Sequence, residues 1–270
     1  MSQKSEISEY FSGAKLIGDD YSEIEILQWY EQEKDAYAGL VDSRESYYYE
    51  YHALNVACGF NMLKDAPPYS IRACGFGSAF GDELQPIQDK IASTVLIDSA
   101  SSFHARPLPQ GVRTVLAQAS GEINSGTDSF DLITCFGVLH HIPNVSFVVK
   151  EFHRCLASGG LLMVREPTTS MGDWRIPRYG VTKNERGIPS GIFKEIIHNA
   201  GFEILKHTPC VFPPMAVFCR KAGLSPFNSR VAVYLDLLLS RVFQWNYRYH
   251  RVKFIDKFSP ASDFFVCRKL

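Results

Sequence analysis

Residues 71–84 read IRACGFGSAFGDEL, from Ile71 to Leu84. An apolar, strand-like run, Ser70–Cys74, enters a turn whose glycines fall at Gly75, Gly77 and Gly81. Glycine lets a backbone turn tightly and approach a ligand closely. The following stretch, Gly81–Ile91, is a helix candidate, and a helix start offers unpaired N–H groups. Ala79 occupies the position of a third glycine. The spacing predicts a strand–turn–helix unit that binds a nucleotide-like ligand through Gly75, Gly77 and Ala79.

Working outward, the next strand candidate, Thr94–Asp98, ends in Asp98 and is followed by Ser99. Asp98 lies at the βαβ distance from Gly75 at which a carboxylate meets the ribose hydroxyls of a nucleotide. Further strand candidates are Arg113–Leu116, Phe130–Cys135, Leu161–Arg165 and Phe202–Lys206. Helix candidates Val145–Leu156 and Ile192–Ala200 lie between them. Strands alternating with helices predict an α/β, doubly wound, mostly parallel sheet. Ligands of such sheets lie at the carboxyl ends of the strands. Up to this point NAD and S-adenosylmethionine both satisfy the pattern.

Two phrases separate them. DSFDLITCFGVLHHIPN spans Asp128–Asn144, and LASGGLLMVREP spans Leu156–Pro167. Together with the glycine turn they resemble the class I S-adenosylmethionine-dependent methyltransferases, and more narrowly the ubiquinone/menaquinone-methyltransferase-like (Methyltransferase type 11) group. The resemblance covers about Ser70 to Lys206. It implies a seven-stranded Rossmann-like sheet whose last strand, DFFVCRKL, returns antiparallel beside the fifth. It also implies S-adenosylmethionine as cofactor, with Gly75, Gly77, Ala79, Asp98, Ser99, Ser120 and Phe136 around it. The chain departs from the family pattern at Ala73, where an acid is usual, and at Ala119 and Ser120, where an acid commonly faces the adenine. The rival readings are an NAD-dependent oxidoreductase, against which the LHH phrase argues, and a non-catalytic methyltransferase-like partner.

Methyl transfer needs the acceptor aligned behind the methyl group and, for a hydroxyl, its proton removed. Candidate bases follow the fourth and fifth strands: His140 and His141, and Glu166. Histidine titrates near neutrality and suits the task. The long polar segment after Glu166 carries Trp174, Arg175, Arg178, Tyr179, Lys183 and Arg186. Aromatics with guanidiniums suit a sugar, phosphate or carboxylate, so the expected acceptor is a small molecule or glycan-type compound with an anionic group. The reaction expected is O-methylation.

Composition sets outer limits. The chain has 270 residues, 46% hydrophobic and 21% charged, with a formal net charge of −1. That length fits one large α/β domain with additions, and that balance does not suit a nucleic-acid groove. Seven cysteines, an odd number without a CxxC pair, sit in apolar runs. They read as reduced thiols of a cytoplasmic protein, with neither a disulfide framework nor a metal site. The first residues lack the apolar core of a signal peptide.

The expected organisation is a helical cap over 1–66, a cofactor-binding core over 67–222, a helical insertion over 223–258 and a final core strand over 259–270. The aromatic cluster YYYEYH, Tyr47–His52, belongs to the cap and is expected to pack on the sheet. RVAVYLDLLLSRVFQW, within the insertion, is apolar apart from a stripe of Asp236, Ser240 and Gln244 and the charged Arg230 and Arg241. It predicts a cover over the acceptor site or a homodimer boundary. Contact with a membrane surface is the less favoured alternative, suggested by the basic run that follows.

Overall fold

The computed structural model describes residues 3–38, 48–100, 108 and 110–270. Seven strands form one sheet: β1 (Ile71–Phe76), β2 (Ile91–Asp98), β3 (Val112–Leu116), β4 (Phe130–Phe136), β5 (Leu156–Pro167), β6 (Phe202–Cys210) and β7 (Ser262–Lys269). Their order is β3-β2-β1-β4-β5-β7-β6. The first five run parallel, and β7 lies antiparallel between β5 and β6. This is the seven-stranded Rossmann-like methyltransferase sheet that the sequence predicts. The switch point lies at β1, flanked by β2 and β4, where the first crossover goes one way and the later ones the other.

Among the described residues seven α-helices accompany it: α1 (Gln3–Ser12), α2 (Glu23–Ala38), α3 (His52–Cys58), α4 (Val145–Cys155), α5 (Ser190–Asn199), α6 (Pro213–Lys221) and α7 (Arg230–Val242). Side chains of a strand alternate between faces, and β7 shows it cleanly. Phe265 and Cys267 enter the apolar layer that α4 and α5 cover. Phe264 and Val266 enter the opposite layer with Leu54 and Cys58 of α3 and Val233 of α7. On α4, Val145, Val148, Val149, Phe152 and Cys155 are buried, the spacing of a single helical face. Emptying the Phe152 site would leave a cavity worth ~3–5 kcal/mol. All seven cysteines are buried and free.

Three local expectations are corrected. The stretch after the glycine turn is a 3-10 segment, Asp82–Lys90, kinked at Ile87, and not an α-helix. Pro86 within it lacks an N–H and clashes with an α-helical turn, and Gly81 enters it in the left-handed region at φ 75°. The turn therefore lacks an α-helix start to offer a ligand. In the aromatic cluster, Tyr49 and Tyr51 precede α3 instead of lying on it, and Tyr51 stacks on Phe227 at 4.8 Å; Tyr47 lies outside the described residues. Finally, α7 packs beside β6 with Asp236 and Ser240 turned inward and takes no part in lining the cavity described next.

Candidate active site

A cavity opens at the carboxyl ends of β1 to β4. Its floor is Phe76 and Gly77 after β1, Ile97, Asp98 and Ser99 after β2, and Ala117 to Ala119 after β3. Gly137, Val138 and His141 follow β4, and Trp29, Tyr30 and Glu33 of α2 close the top.

The turn after β1 is built by close approach. Gly77 has φ +66°, and a Cβ there would overlap both methyls of Val138. Its N–H donates to Ile97 O at 2.7 Å, pinning the turn to β2. Asp98 is buried; Oδ2 accepts from Ala79 N–H at 3.0 Å and Oδ1 from Ala100 N–H at 3.1 Å. One carboxylate thus braces both loops beside the cavity.

The acid missing at Ala73 reappears from elsewhere. Glu83, in the 3-10 segment, is buried under the turn, where Ser78 and Thr134 hydroxyls donate to its Oε1. Burial pushes its carboxyl up to about 7. A Cβ on Gly75 would press on this carboxylate and on Ser78, so Gly75 leaves room for Glu83 and does not itself line the cavity.

The loop after β4 is organised by Glu166, whose side chain is fully buried at the end of β5. Its Oε1 accepts from Val138 N–H and Leu139 N–H, both at 2.9 Å. Its Oε2 lies 2.8 Å from His140 Nδ1. The short 3-10 turn Leu139–His141 thus has its leading N–H groups neutralised by one carboxylate. His140 Nε2 lies 3.4 Å from Glu185 Oε1. Burial alone would lower the pKa of His140, but its hydrogen bonds to Glu166 and Glu185 raise it to about 9. Burial pushes Glu185 the opposite way, and the bond to His140 with the charges of both histidines brings it down to about 2. His140 is therefore held as a cation between two carboxylates.

His141 differs. It is on the cavity wall, with Nδ1 3.1 Å from Glu33 Oε2. Burial and the neighbouring His140, its ring centroid 4.1 Å away, lower its pKa. Its lowered pKa favours the neutral ring, and the contact with Glu33 favours the Nδ1–H tautomer. His140, His141 and Glu185 offer donor atoms within 4.8 Å of one another, a set able to hold a metal ion. Glu185 comes from the loop beyond β5, so this grouping is not visible in sequence spacing.

Of the residues expected at the cofactor, Gly77, Asp98 and Ser99 line the cavity. Ala79 serves it through Asp98. Ser120 caps its own turn by accepting from Glu122 N–H, while its neighbours Ala119 and Gly121 line the wall. Phe136 points to the opposite face of the sheet, against Phe60 and Phe264; Gly137 and Val138 line the wall in its stead.

The polar loop after β5 does not present its arginines as a ligand clamp. Arg178 donates to the carbonyls of Met171, Thr182, Lys183 and Glu185. The fully buried Arg186 donates to those of Ile17, Leu139, His140, Ile142 and Pro143. Arg175 pairs with Asp173. These guanidiniums hold the loop and the LHH turn in shape.

The lid on α2 was not read from the sequence. Trp29 Nε1–H donates to His141 O at 2.7 Å, and Tyr30 O–H to Ala117 O at 3.3 Å. Glu33 also accepts from Asn184 N–H. Trp29, Tyr30 and Glu33 at i, i+1 and i+4 share one side of a helix, and that was the available signal.

The chain matches the family model described as a methyltransferase domain over residues 55–207. No curated protein matches it in sequence. Among solved structures it is similar to an S-adenosylmethionine-dependent methyltransferase from Mesorhizobium loti, at 18% identity and TM-score 0.53, over 77% of this chain and 94% of that one. It is also similar to phosphoethanolamine N-methyltransferase 2 from Haemonchus contortus, in complex with S-adenosyl-L-methionine, at 15% identity and TM-score 0.53, over 80% and 52%. A third is the YcgJ protein from Bacillus subtilis, at 14% identity and TM-score 0.51, over 81% and 98%. At these identities the likeness is one of fold.

Proposed function

This chain belongs to the methyltransferase-domain family and takes S-adenosylmethionine as its cofactor, and we propose that it transfers the methyl group to a hydroxyl of a small-molecule acceptor. The observation that carries the proposal is the pairing on one cavity wall of a buried ribose-type carboxylate, Asp98, with a neutral, oriented imidazole, His141.

In this reading Gly77, Asp98 and Ser99 hold the cofactor, with Asp98 accepting from its ribose hydroxyls. Ala117 to Ala119 and Gly121 flank the adenine in a wall without a carboxylate. Trp29 and Tyr30 would keep water out of the occupied cavity. The bound cofactor would supply an electrophilic methyl group, and His141 would accept the proton of the acceptor's hydroxyl. Glu33 stabilises the resulting imidazolium. His140 and Glu166 are positioning residues: they shape the turn that carries His141 and do not touch the reacting atoms.

The test is a methyl-transfer assay on a panel of hydroxyl and amine acceptors, with S-adenosylhomocysteine titrated in parallel. His141→Ala should lower turnover by about 10²–10⁴ while S-adenosylhomocysteine affinity holds. Unaltered turnover on every acceptor would remove His141 as base and favour an acceptor that needs none, such as an amine.

A further inference from the structure

Helix α7 is mounted inside out. Its buried side carries Asp236 and Ser240 along with Ala232 and Val233. Asp236 is fully buried and accepts from Val211 N–H at 2.8 Å and Phe212 N–H at 2.7 Å, which fastens α7 to the end of β6 and the start of α6. The opposite side carries Val231, Tyr234, Leu235, Leu238 and Val242, all between 45% and 70% exposed. Spacings of three, four, seven and eleven place these five on a single stripe. A soluble helix turns such a stripe to the core; here it faces away from it.

The apolar surface continues beyond the helix. Trp245 is 74% exposed in the next turn, and Val252, Phe254 and Ile255 are exposed after it. Asn246 joins the two segments: its side-chain N–H groups donate to Ile255 O at 2.7 Å and Phe258 O at 3.0 Å. On α6, which packs against α7, Val217 and Phe218 are exposed as well. Contiguous apolar surface of this kind marks an interaction site.

Charge identifies the partner. Arg230 and Arg241 lie along one edge of the stripe, and Arg248, Lys253 and Lys257 lie near Trp245 and Phe254 in the chain; all five are exposed. Between residues 213 and 258 the carboxylates are Asp236, buried, and Asp256, held by the N–H groups of its own turn. A second copy docking about a twofold axis would set this cationic rim against itself. An anionic lipid surface accepts both halves of the pattern: the apolar stripe enters the headgroup boundary while the arginines and lysines reach phosphates. With 13 residues, α7 is too short to span a bilayer, and no helix among the described residues is long and apolar enough to do so.

We propose that the surface formed by α7, Trp245 and the Val252–Lys257 turn docks this protein peripherally on anionic bilayers, with α7 lying in the interface plane. The proposal stands apart from the choice of methyl acceptor.

The test uses the full chain with vesicles of phosphatidylcholine alone and of phosphatidylcholine with phosphatidylserine. Flotation should occur with the anionic vesicles and weaken as salt is raised. The exposed pair Leu238→Ser and Trp245→Ser should lower the partition coefficient on the order of tenfold or more, and Arg241→Glu with Lys253→Glu should remove the preference for phosphatidylserine. Thermal melts and S-adenosylhomocysteine binding check that each variant is folded. Absence of flotation, or equal flotation of folded variants, overturns the proposal. So does a dimer in solution that Leu238→Ser and Trp245→Ser convert to monomer, since a second copy would then occupy the surface.

Discussion

Glu33 on α2 and His141 in the loop after β4 meet at 3.1 Å, carboxylate oxygen to Nδ1. They lie 108 positions apart in the chain, and their contact joins the lid to the wall of the cavity. Glu33→Ala removes the group that orients His141 and also a bond to the Asn184 N–H. A charge-assisted bond of this kind contributes ~1.5–3 kcal/mol. The expected result is a weaker affinity for S-adenosylhomocysteine together with lower turnover. His141→Ala, by contrast, lowers turnover with cofactor affinity held. Calorimetric titration of the two variants separates lid from base; identical losses in both would dissociate Glu33 from the lid.

Asp98 performs two tasks, and two substitutions divide them. Asp98→Asn keeps one carbonyl oxygen for a loop N–H but loses the charge; Asp98→Ala loses every bond. Affinity for S-adenosylhomocysteine should fall by about 10- to 100-fold in both, from ~1.5–3 kcal/mol of charge-assisted bonding. Stability should fall chiefly in Asp98→Ala, where buried Ala79 and Ala100 N–H groups lose their acceptor. Denaturant melts of the apo proteins alongside titrations check the division; unchanged affinity in both would take Asp98 out of the ribose site.

Gly77→Ala tests the close approach. The left-handed φ alone strains an alanine by ~1–2 kcal/mol, and the new methyl overlaps Val138. Adding Val138→Ala should relieve the overlap and recover part of the lost stability, leaving the backbone strain. If the double variant melts no higher than the single one, the contact with Val138 is not what excludes a side chain at Gly77.

Glu83 gives a pH signature. Its carboxyl titrates near 4.5 in the unfolded chain and near 7 when folded, so the folded state binds the proton more tightly. Its stabilising contribution is therefore complete below about pH 4.5 and is lost as pH rises through 7, on the order of 3 kcal/mol across that window. Glu83→Gln, neutral at every pH, should be less sensitive between pH 5 and 8 and more stable than the parent at pH 8. Parallel slopes of stability against pH for the two proteins would show that Glu83 is not the group responsible.

The sheet was legible because strands such as β1 and β4 are short, largely buried apolar runs, and because LHH and LASGG stand in order behind a glycine turn. Asp98 was legible for the same reason: its place follows from the length of one βαβ unit. The rest depends on contacts that no local spacing encodes. Glu83 reaches the turn through a 3-10 segment where periodicity suggested an α-helix. Glu166 reads as a candidate base in sequence, but only its burial and its contacts with Val138, Leu139 and His140 reveal a brace. The arginines after β5 read as ligand-facing because their targets are backbone carbonyls, which every residue possesses and which therefore leave no trace in sequence. For α7 the helix itself was visible, while the direction it faces was set by two N–H groups at Val211 and Phe212.

The position of β7 between β5 and β6 decides how the molecule can assemble. Among the described residues β6 has no other strand neighbour, so its backbone N–H and C=O groups wait for a partner that begins only at Ser262. β5 ends at Pro167 and waits longer still on that edge. The strand pairing of the parallel half around the cavity is complete by Pro167; β6 gains its strand pairing only when the chain from Ser262 slides in as a wedge. Contacts this distant in sequence form slowly. The unwedged intermediate would display two open strand edges next to an apolar helix, a species prone to self-association until the wedge is home.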